Sequence, residues 1–224
     1  MGVPGGMNTI YGGAGNDWIA GDDNNDLLYG DDGGGTSSGH PGADTLNGGK
    51  GDDKLYGEQG NDLLIGHGDN DSLYGGAGND RLYGDNDINS PWGGNDLLDG
   101  GSGVDLMWGG LGADVFDYNH VSDSPASARD WIMDFSKAQG DKVDLSGIDA
   151  KSTNFFINDA FTFIGSNGFS GVAGQLQFEQ HHPTSGPLVL DTTTLSGDTN
   201  GDAVADFAVV CLGLIDFMSS DFML

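Results

Sequence analysis

Basic side chains are scarce in this chain. Lys50, Lys54, Arg81, Arg129, Lys137, Lys142 and Lys151 are the only seven in 224 residues, against 35 acids, and the formal net charge is -28. Nucleic acid and anionic membrane surfaces both need basic patches to neutralise phosphate, so neither suits this chain as a partner. Cys211 is the only cysteine, which excludes an internal disulfide, and its apolar setting, Val209-Val210-Cys211-Leu212, predicts a buried thiol. No segment approaches the ~18 consecutive apolar residues of a membrane-spanning helix. The start, Met1-Gly2-Val3-Pro4-Gly5-Gly6, has neither the basic region nor the apolar core of an N-terminal signal peptide. Glutamate is nearly missing as well, with Glu58 and Glu179 the only two. Almost every acid is therefore an aspartate, whose short stem suits a carboxylate held inside a tight turn; a merely solubilising surface would mix the two.

What is abundant is glycine, and it recurs with aspartate at fixed spacing. From Gly12 to Asp117 one nine-residue phrase repeats: glycine, glycine, any, glycine, any, aspartate, any, large apolar, any. Gly48-Gly49-Lys50-Gly51-Asp52-Asp53-Lys54-Leu55-Tyr56 and Gly75-Gly76-Ala77-Gly78-Asn79-Asp80-Arg81-Leu82-Tyr83 show it cleanly. The sixth position is Asp17, Asp26, Asp44, Asp53, Asp62, Asp71, Asp80, Asp96, Asp105 and Asp114. The eighth is Ile19, Leu28, Leu46, Leu55, Leu64, Leu73, Leu82, Leu98, Met107 and Phe116. Such a phrase predicts an all-β parallel β-roll, in which six residues turn and three form a strand with its apolar residue inward. Asn24 and Asp69 replace the fourth-position glycine, the non-glycines that best tolerate a left-handed conformation.

Two repeats make one coil, so residues eighteen apart stack on the same edge. One column is then Asp17, Asp44, Asp62, Asp80 and Asp105, and the other Asp26, Asp53, Asp71, Asp96 and Asp114. Insertions at about 33 to 41 and 87 to 93 bulge outward from opposite edges. Two large apolar side chains per coil cannot offset the entropy of ordering eighteen residues, and stacked carboxylates repel. A divalent cation between successive turns reverses that sign. Hard oxygens from carboxylates and carbonyls suit Ca²⁺, and folding is then coupled to the ion. Four gaps in each column predict roughly eight ions in the roll.

In these repeats the chain resembles the RTX family (repeats in toxins) of type I secreted bacterial proteins. The resemblance implies a right-handed roll in which two turns share each ion. Each turn gives its aspartate and backbone carbonyls, here in turns opened by Gly12, Gly48, Gly57, Gly75, Gly100 and Gly109. Beyond the repeats, Asp114-Val115-Phe116-Asp117-Tyr118, Asp130-Trp131-Ile132-Met133-Asp134-Phe135 and Gly140-Asp141-Lys142-Val143-Asp144-Leu145-Ser146-Gly147-Ile148-Asp149-Ala150 resemble the carboxy-terminal domain of serralysin-type metalloproteases, as do Ala160-Phe161-Thr162-Phe163-Ile164-Gly165 and Ala173-Gly174-Gln175-Leu176. That likeness implies a domain carrying an uncleaved export signal read by a type I secretion apparatus, with Asp221, Phe222, Met223 and Leu224 matching its acidic and apolar end. It also implies a secreted, extracellular protein, and an attached catalytic domain in a longer parent.

The expected organisation is a cap of degenerate repeat over residues 1–11, the roll over 12–117, and a β-rich carboxy-terminal domain over 118–224. Asp198, Asn200, Asp202 and Asp206 have the spacing of a loop that wraps one more calcium ion, or they close a plain acidic turn; Ala203 sits where such loops prefer glycine. Catalytic motifs are missing. No His-Glu-x-x-His occurs among His40, His67, His120, His181 and His182, and Gly35-Thr36-Ser37-Ser38-Gly39 lies in a Gly/Ser-rich insertion and not on a strand-to-helix turn. The chain is thus expected to be no enzyme by itself. A second reading is polysaccharide binding, as in the accessory modules of mannuronan C5-epimerases, with Tyr29, Tyr56 and Tyr74 forming an outward ladder for sugar rings.

Overall fold

The computed structural model describes residues 6–32, 42–85, 93–151, 159–183 and 190–224. The Gly35–Gly39 segment, His40 and nearly all of both insertions lie outside them. Among the described residues there is no α-helix; the chain is all-β, with one 3-10 turn at Ser219–Asp221. Strands alternate between two sheets as the chain coils. The first sheet stacks, in order, β1 (Thr9–Tyr11), β3 (Leu27–Tyr29), β5 (Lys54–Gln59), β7 (Ser72–Ala77), β9 (Leu97–Ser102), β11 (Val115–Asp117), β13 (Lys142–Asp144) and β18 (Phe222–Met223). The second runs β2 (Trp18–Asp23), β4 (Thr45–Lys50), β6 (Leu63–Gly68), β8 (Arg81–Tyr83), β10 (Leu106–Trp108), β12 (Asp130–Ile132), β17 (Phe207–Leu212), β16 (Thr192–Asp198), β15 (Gln175–His181) and β14 (Thr162–Phe163).

The eighth-position residues set the register. Ile10, Leu28, Leu55, Leu73, Leu98, Phe116, Val143 and Phe222 pair in one column. Ile19, Leu46, Leu64, Leu82, Met107, Ile132 and Cys211 pair in the other. All but Ile10 are buried, most completely, so each removes its whole side chain from water, worth about 1.5–3 kcal/mol. Both columns pass residue 117 without a break: β12 and β13 add a further coil, and Cys211 and Phe222 come from the far end of the chain.

Strands are longer than a three-residue strand and six-residue turn allow. β2, β4, β5, β6, β7 and β9 each take in the first three residues of the following repeat. The reason is backbone pairing: the N–H groups of first-position Gly12 and Gly30 donate to the Tyr29 and Tyr56 carbonyls of the next coil, extending the ladder into the glycines. Left-handed φ then falls at the second and fourth positions, as at Gly49 (115°) and Gly51 (106°). Non-glycines accept it at Asn24 and Asp69, and also at second-position Glu58 and His67.

At β17 the second sheet changes character. β17, β16 and β15 pair antiparallel, while β17 still pairs parallel with β12. The end of the roll is plugged by phenyl rings: Phe217 lies 5.2 Å from Phe135 and 5.3 Å from Phe222, and Phe222 lies 5.0 Å from Phe163.

Candidate cation columns at the two edges of the roll

Each sixth-position aspartate lies at the corner where a turn enters a strand, and its backbone is fully used. The Asp44 carbonyl accepts from the Leu63 N–H, and the Asp53 carbonyl from the Ser72 N–H, both at 2.9 Å. Its N–H donates to the carboxylate of the next aspartate in the column. On the first edge Asp17 donates to Asp44 Oδ1, Asp44 to Asp62, Asp62 to Asp80, Asp80 to Asp105, and Asp105 to Asp130, at 2.7–2.8 Å. On the second edge Asp26 donates to Asp53, Asp53 to Asp71, Asp71 to Asp96, Asp96 to Asp114, and Asp114 to Asp141. The structure thus brings all ten repeat aspartates into the two expected columns.

Two column members were not legible as repeats, and the degenerate repeat expected at residues 1–11 supplies a third. Asp130 and Asp141 extend the columns past the last glycine-rich phrase, and Asn8 precedes Asp26, its N–H donating to Asp26 Oδ1 at 2.7 Å. The signal for the first two was present in Asp130-Trp131-Ile132 and Asp141-Lys142-Val143, which keep the sixth and eighth positions after the glycines are lost. A second ladder also runs outside the aspartates, at the fifth position. Asn61 and Asn79 accept through their side-chain oxygens from the N–H groups of Asn79 and Val104, and Asn70 and Asn95 accept from Asn95 and Ala113, all at 2.8–2.9 Å.

The other carboxylate oxygen tells what is missing. Oδ2 of Asp17, Asp26, Asp44, Asp53, Asp62, Asp71, Asp80, Asp96, Asp105, Asp114 and Asp130 is buried and has no hydrogen-bond partner. In the ten repeat aspartates it faces the first-position glycine of its own repeat, and at Gly12, Gly21, Gly30, Gly57, Gly75 and Gly84 the carbonyl oxygen of the corresponding glycine one coil on borders the same space. A methyl group on Gly57 would lie 2.5 Å from Asp62 Oδ2 and 2.6 Å from the Gly75 oxygen; on Gly75 it would lie 2.5 Å from both Asp80 Oδ2 and the Gly100 oxygen. Gly12, Gly48, Gly100 and Gly109 are crowded in the same way by the carboxylates of Asp17, Asp53, Asp105 and Asp114. Glycine is required there because a carboxylate and a carbonyl oxygen converge on the space a Cβ would fill. Among the described residues no three His, Cys, Asp or Glu side chains gather to hold a metal. Any ion at these edges must therefore be held by carboxylates and backbone carbonyls together, an all-oxygen set that fits Ca²⁺ and not Zn²⁺.

Burial, aided at all but Asp80 by neighbouring aspartates, pushes these carboxyls far above the ordinary carboxylate range. Asp80 rises to about 6, Asp105 and Asp114 to about 7, Asp62, Asp96 and Asp130 to about 8, and Asp71 to about 9. Desolvation also dominates at Asp53, raised to about 7. Ionising them together in the folded chain is costly unless a positive charge arrives.

A family model for the serralysin C-terminal region of M10 peptidases matches residues 6–224. The chain belongs to that family. The serralysin-type domain is similar to metalloprotease AprA of Pseudomonas entomophila (strain L48), with 36% identity over 98 residues, which make up 44% of this chain and 18% of AprA. The match therefore spans less than a fifth of that relative's length. Solution structures of the R3 and R2 subunits of AlgE6, an Azotobacter vinelandii mannuronan C5-epimerase, also match. The first is 26% identical over 73% of this chain and 80% of its own, with a TM-score of 0.47; the second is 24% identical over 91% and 90%, with a TM-score of 0.39.

In the serralysin-type domain the Asp198–Asp206 loop is closed by its own backbone. Asp198 Oδ1 accepts from Asn200 and Gly201, its Oδ2 from Ala203, and Asp206 Oδ2 from the Thr199 N–H and hydroxyl. Asp202 Oδ1 accepts from Val204, and Ala203 takes a φ of 67° in the place suited to glycine. The last residues form an ordered end: Asp221 pairs with Lys137 at 3.1 Å and accepts from the Met218 N–H, while Phe222 is buried and Met223 and Leu224 stay exposed.

The tyrosine ladder exists, and Tyr11 joins it. Tyr11, Tyr29, Tyr56 and Tyr74 stack with centroids 4.7–5.0 Å apart and planes within 11°. Each inner ring thus spends both faces on its neighbours, leaving edges and hydroxyls outward. A sugar ring could therefore stack only on the outer face of a terminal ring, and would meet the inner tyrosines by their edges.

Proposed function

We propose that this chain is a calcium-binding RTX module that folds when it meets extracellular calcium and directs type I secretion. It is not itself an enzyme, and forms the carboxy-terminal part of a longer secreted hydrolase, most naturally a serralysin-like metalloprotease. The observation that carries the calcium reading is the run of buried, partnerless Oδ2 atoms along both edges, six of them bordering a space shared with a glycine carbonyl of the next coil. Calcium supplies the positive charge that eleven such oxygens require, and the ten repeat aspartates with the carbonyls of their first-position glycines hold roughly eight ions between coils. The extra loop at Asp198 is not needed for this count, since its carboxylates already close turns.

At the submicromolar calcium of a bacterial cytosol, sites of ~10⁻⁴ to 10⁻³ M affinity stay empty and the acidic chain stays loose enough to thread a secretion channel. Millimolar calcium outside fills them and closes the roll. Circular dichroism of the full chain in calcium and in EDTA tests the coupling: the β signal is expected to collapse in EDTA at neutral pH, and a signal that persists contradicts the reading. Deleting Asp221–Leu224 tests the export role. Secretion is expected to stop while calcium-driven folding survives with a modest loss from the missing Phe222; undiminished secretion refutes the assignment.

A further inference from the structure

Both insertions follow the same pair of residues, Gly30-Asp31 and Gly84-Asp85, so in each an acid holds the second position of the interrupted phrase. Their nearest neighbours at that position, Gly13 and Glu58 on the first edge and His67 and Gly110 on the second, take a positive φ; Asp31 and Asp85 do not. Asp31 is only 1% exposed and Asp85 is partly buried, whereas Asp22, a second-position aspartate in an uninterrupted phrase, is exposed.

One oxygen of each carboxylate is spent in the same way. Asp31 Oδ2 accepts from the Gln59 N–H at 3.4 Å and Asp85 Oδ2 from the Leu111 N–H at 3.1 Å, in both cases the third position of the next coil. Asp85 Oδ2 also accepts from the Gly94 N–H at 3.3 Å. These bonds lean both side chains along the stack, toward the following layer. The other oxygen, Oδ1, is buried in both residues and has no hydrogen-bond partner. It stands among the column carboxylates: of the charges acting on Asp44, Asp31's is the largest, and it reaches Asp62 as well, while Asp85's reaches Asp71, Asp96 and Asp114. Leaving an acceptor buried and unbonded beside like charges is unfavourable unless a cation meets it. A column with one aspartate per coil and one divalent ion per gap holds more positive than negative charge along its length, so a further carboxylate is attracted there once the ions are in place.

We infer that Asp31 and Asp85 are additional ligands, each lending Oδ1 to the ion between its own turn and the next coil, and that these two ions are held more tightly than the rest. The inference rests on the calcium reading of the columns and goes beyond it in placing a ligand at the second position, where the phrase has glycine. Among the described residues no three acids gather, so the added carboxylate joins that of Asp44 or Asp96 and glycine carbonyls complete the oxygen set. Calcium affinity rises with the number of charged ligands. One strengthened layer then lies on each edge, at the turns that extra residues interrupt.

Calcium titration of the full chain in competition with a chromophoric chelator tests it. The wild type is expected to bind two ions about tenfold more tightly than the remainder. Asp31→Asn and Asp85→Asn keep an oxygen for the N–H of the next coil but lose the charge. Each is expected to move one ion from the tight class to the weak one with the total unchanged, and the double variant to move both. Asp22→Asn removes a charge at an exposed second position and is expected to leave the isotherm as it was. Should one variant fail to fold, the variant on the opposite edge decides the matter, and the wild-type isotherm stands as a test on its own. A wild type without a tight class, a tight class that survives both substitutions, or an equal loss in Asp22→Asn overturns the inference. A wild-type chain that binds no calcium overturns the column reading beneath it.

Discussion

A first-position glycine and a sixth-position aspartate work as one device, because the carboxylate needs the room that the missing Cβ leaves. Gly57→Ala puts a methyl 2.5 Å from Asp62 Oδ2 and 2.6 Å from the Gly75 oxygen. We expect it to lower stability in saturating calcium by about 2 kcal/mol or more, read from the urea midpoint. Gly168→Ala, with nothing within 4 Å, is expected to stay within about 0.5 kcal/mol, and equal effects at the two sites would contradict the device. The carboxyls also fix a pH dependence. A carboxyl whose folded pKa is raised binds protons better in the fold than in the unfolded chain, so its contribution is present at low pH and lost as pH rises through the folded value. From Asp80 to Asp71 that loss sets in above the ordinary value of 3.8 and is complete only at about 6 to about 9. In chelator the β signal is therefore expected to be stronger at pH 5 than at pH 8.5. In calcium the trend reverses, because protons compete with the ion for the same oxygens; an EDTA melt indifferent to pH rules this out. At this scale the sequence was readable wherever glycine kept its place. Asp130 and Asp141 escaped because Tyr118 and Asp134 occupy the first positions and the spacing stretches.

The element that repeats is a strand pair with one buried side chain per strand, so its stability depends on neighbours above and below. Leu73 is fully buried between Leu55 and Leu98, whereas Ile19 pairs only with Leu46. Leu73→Ala is expected to cost about 2–5 kcal/mol. Ile19→Ala, at the open end of the stack, is expected to cost clearly less in the same urea titration, and equal costs would mean that coils do not depend on nearest neighbours. The apolar column of the repeats was legible because the eighth position never fails. The length of the strands was not, since glycine reads as turn although its N–H continues the ladder. Nor was the turn to antiparallel pairing at β17: Phe207-Ala208-Val209-Val210-Cys211-Leu212 is apolar throughout and looks the same in either kind of sheet.

Seen whole, the molecule is a stack whose layers touch only those beside them, closed at one end by phenyl rings and by strands from beyond the repeats, β17 and β18. On the proposed reading, calcium bound between the layers would make that stack respond to one variable in the medium. Such nearest-neighbour coupling also runs past residue 117: β12 and β13 continue both sheets, so the residues after the repeats share a core with the roll. Cys211 lies at that junction, stacked on Ile132 and wholly enclosed, with burial pushing its thiol up to about 12. An alkylating reagent can meet it only in molecules that have come apart. The pace at which label accumulates therefore clocks how often the assembled layers breathe, with no probe added to the protein.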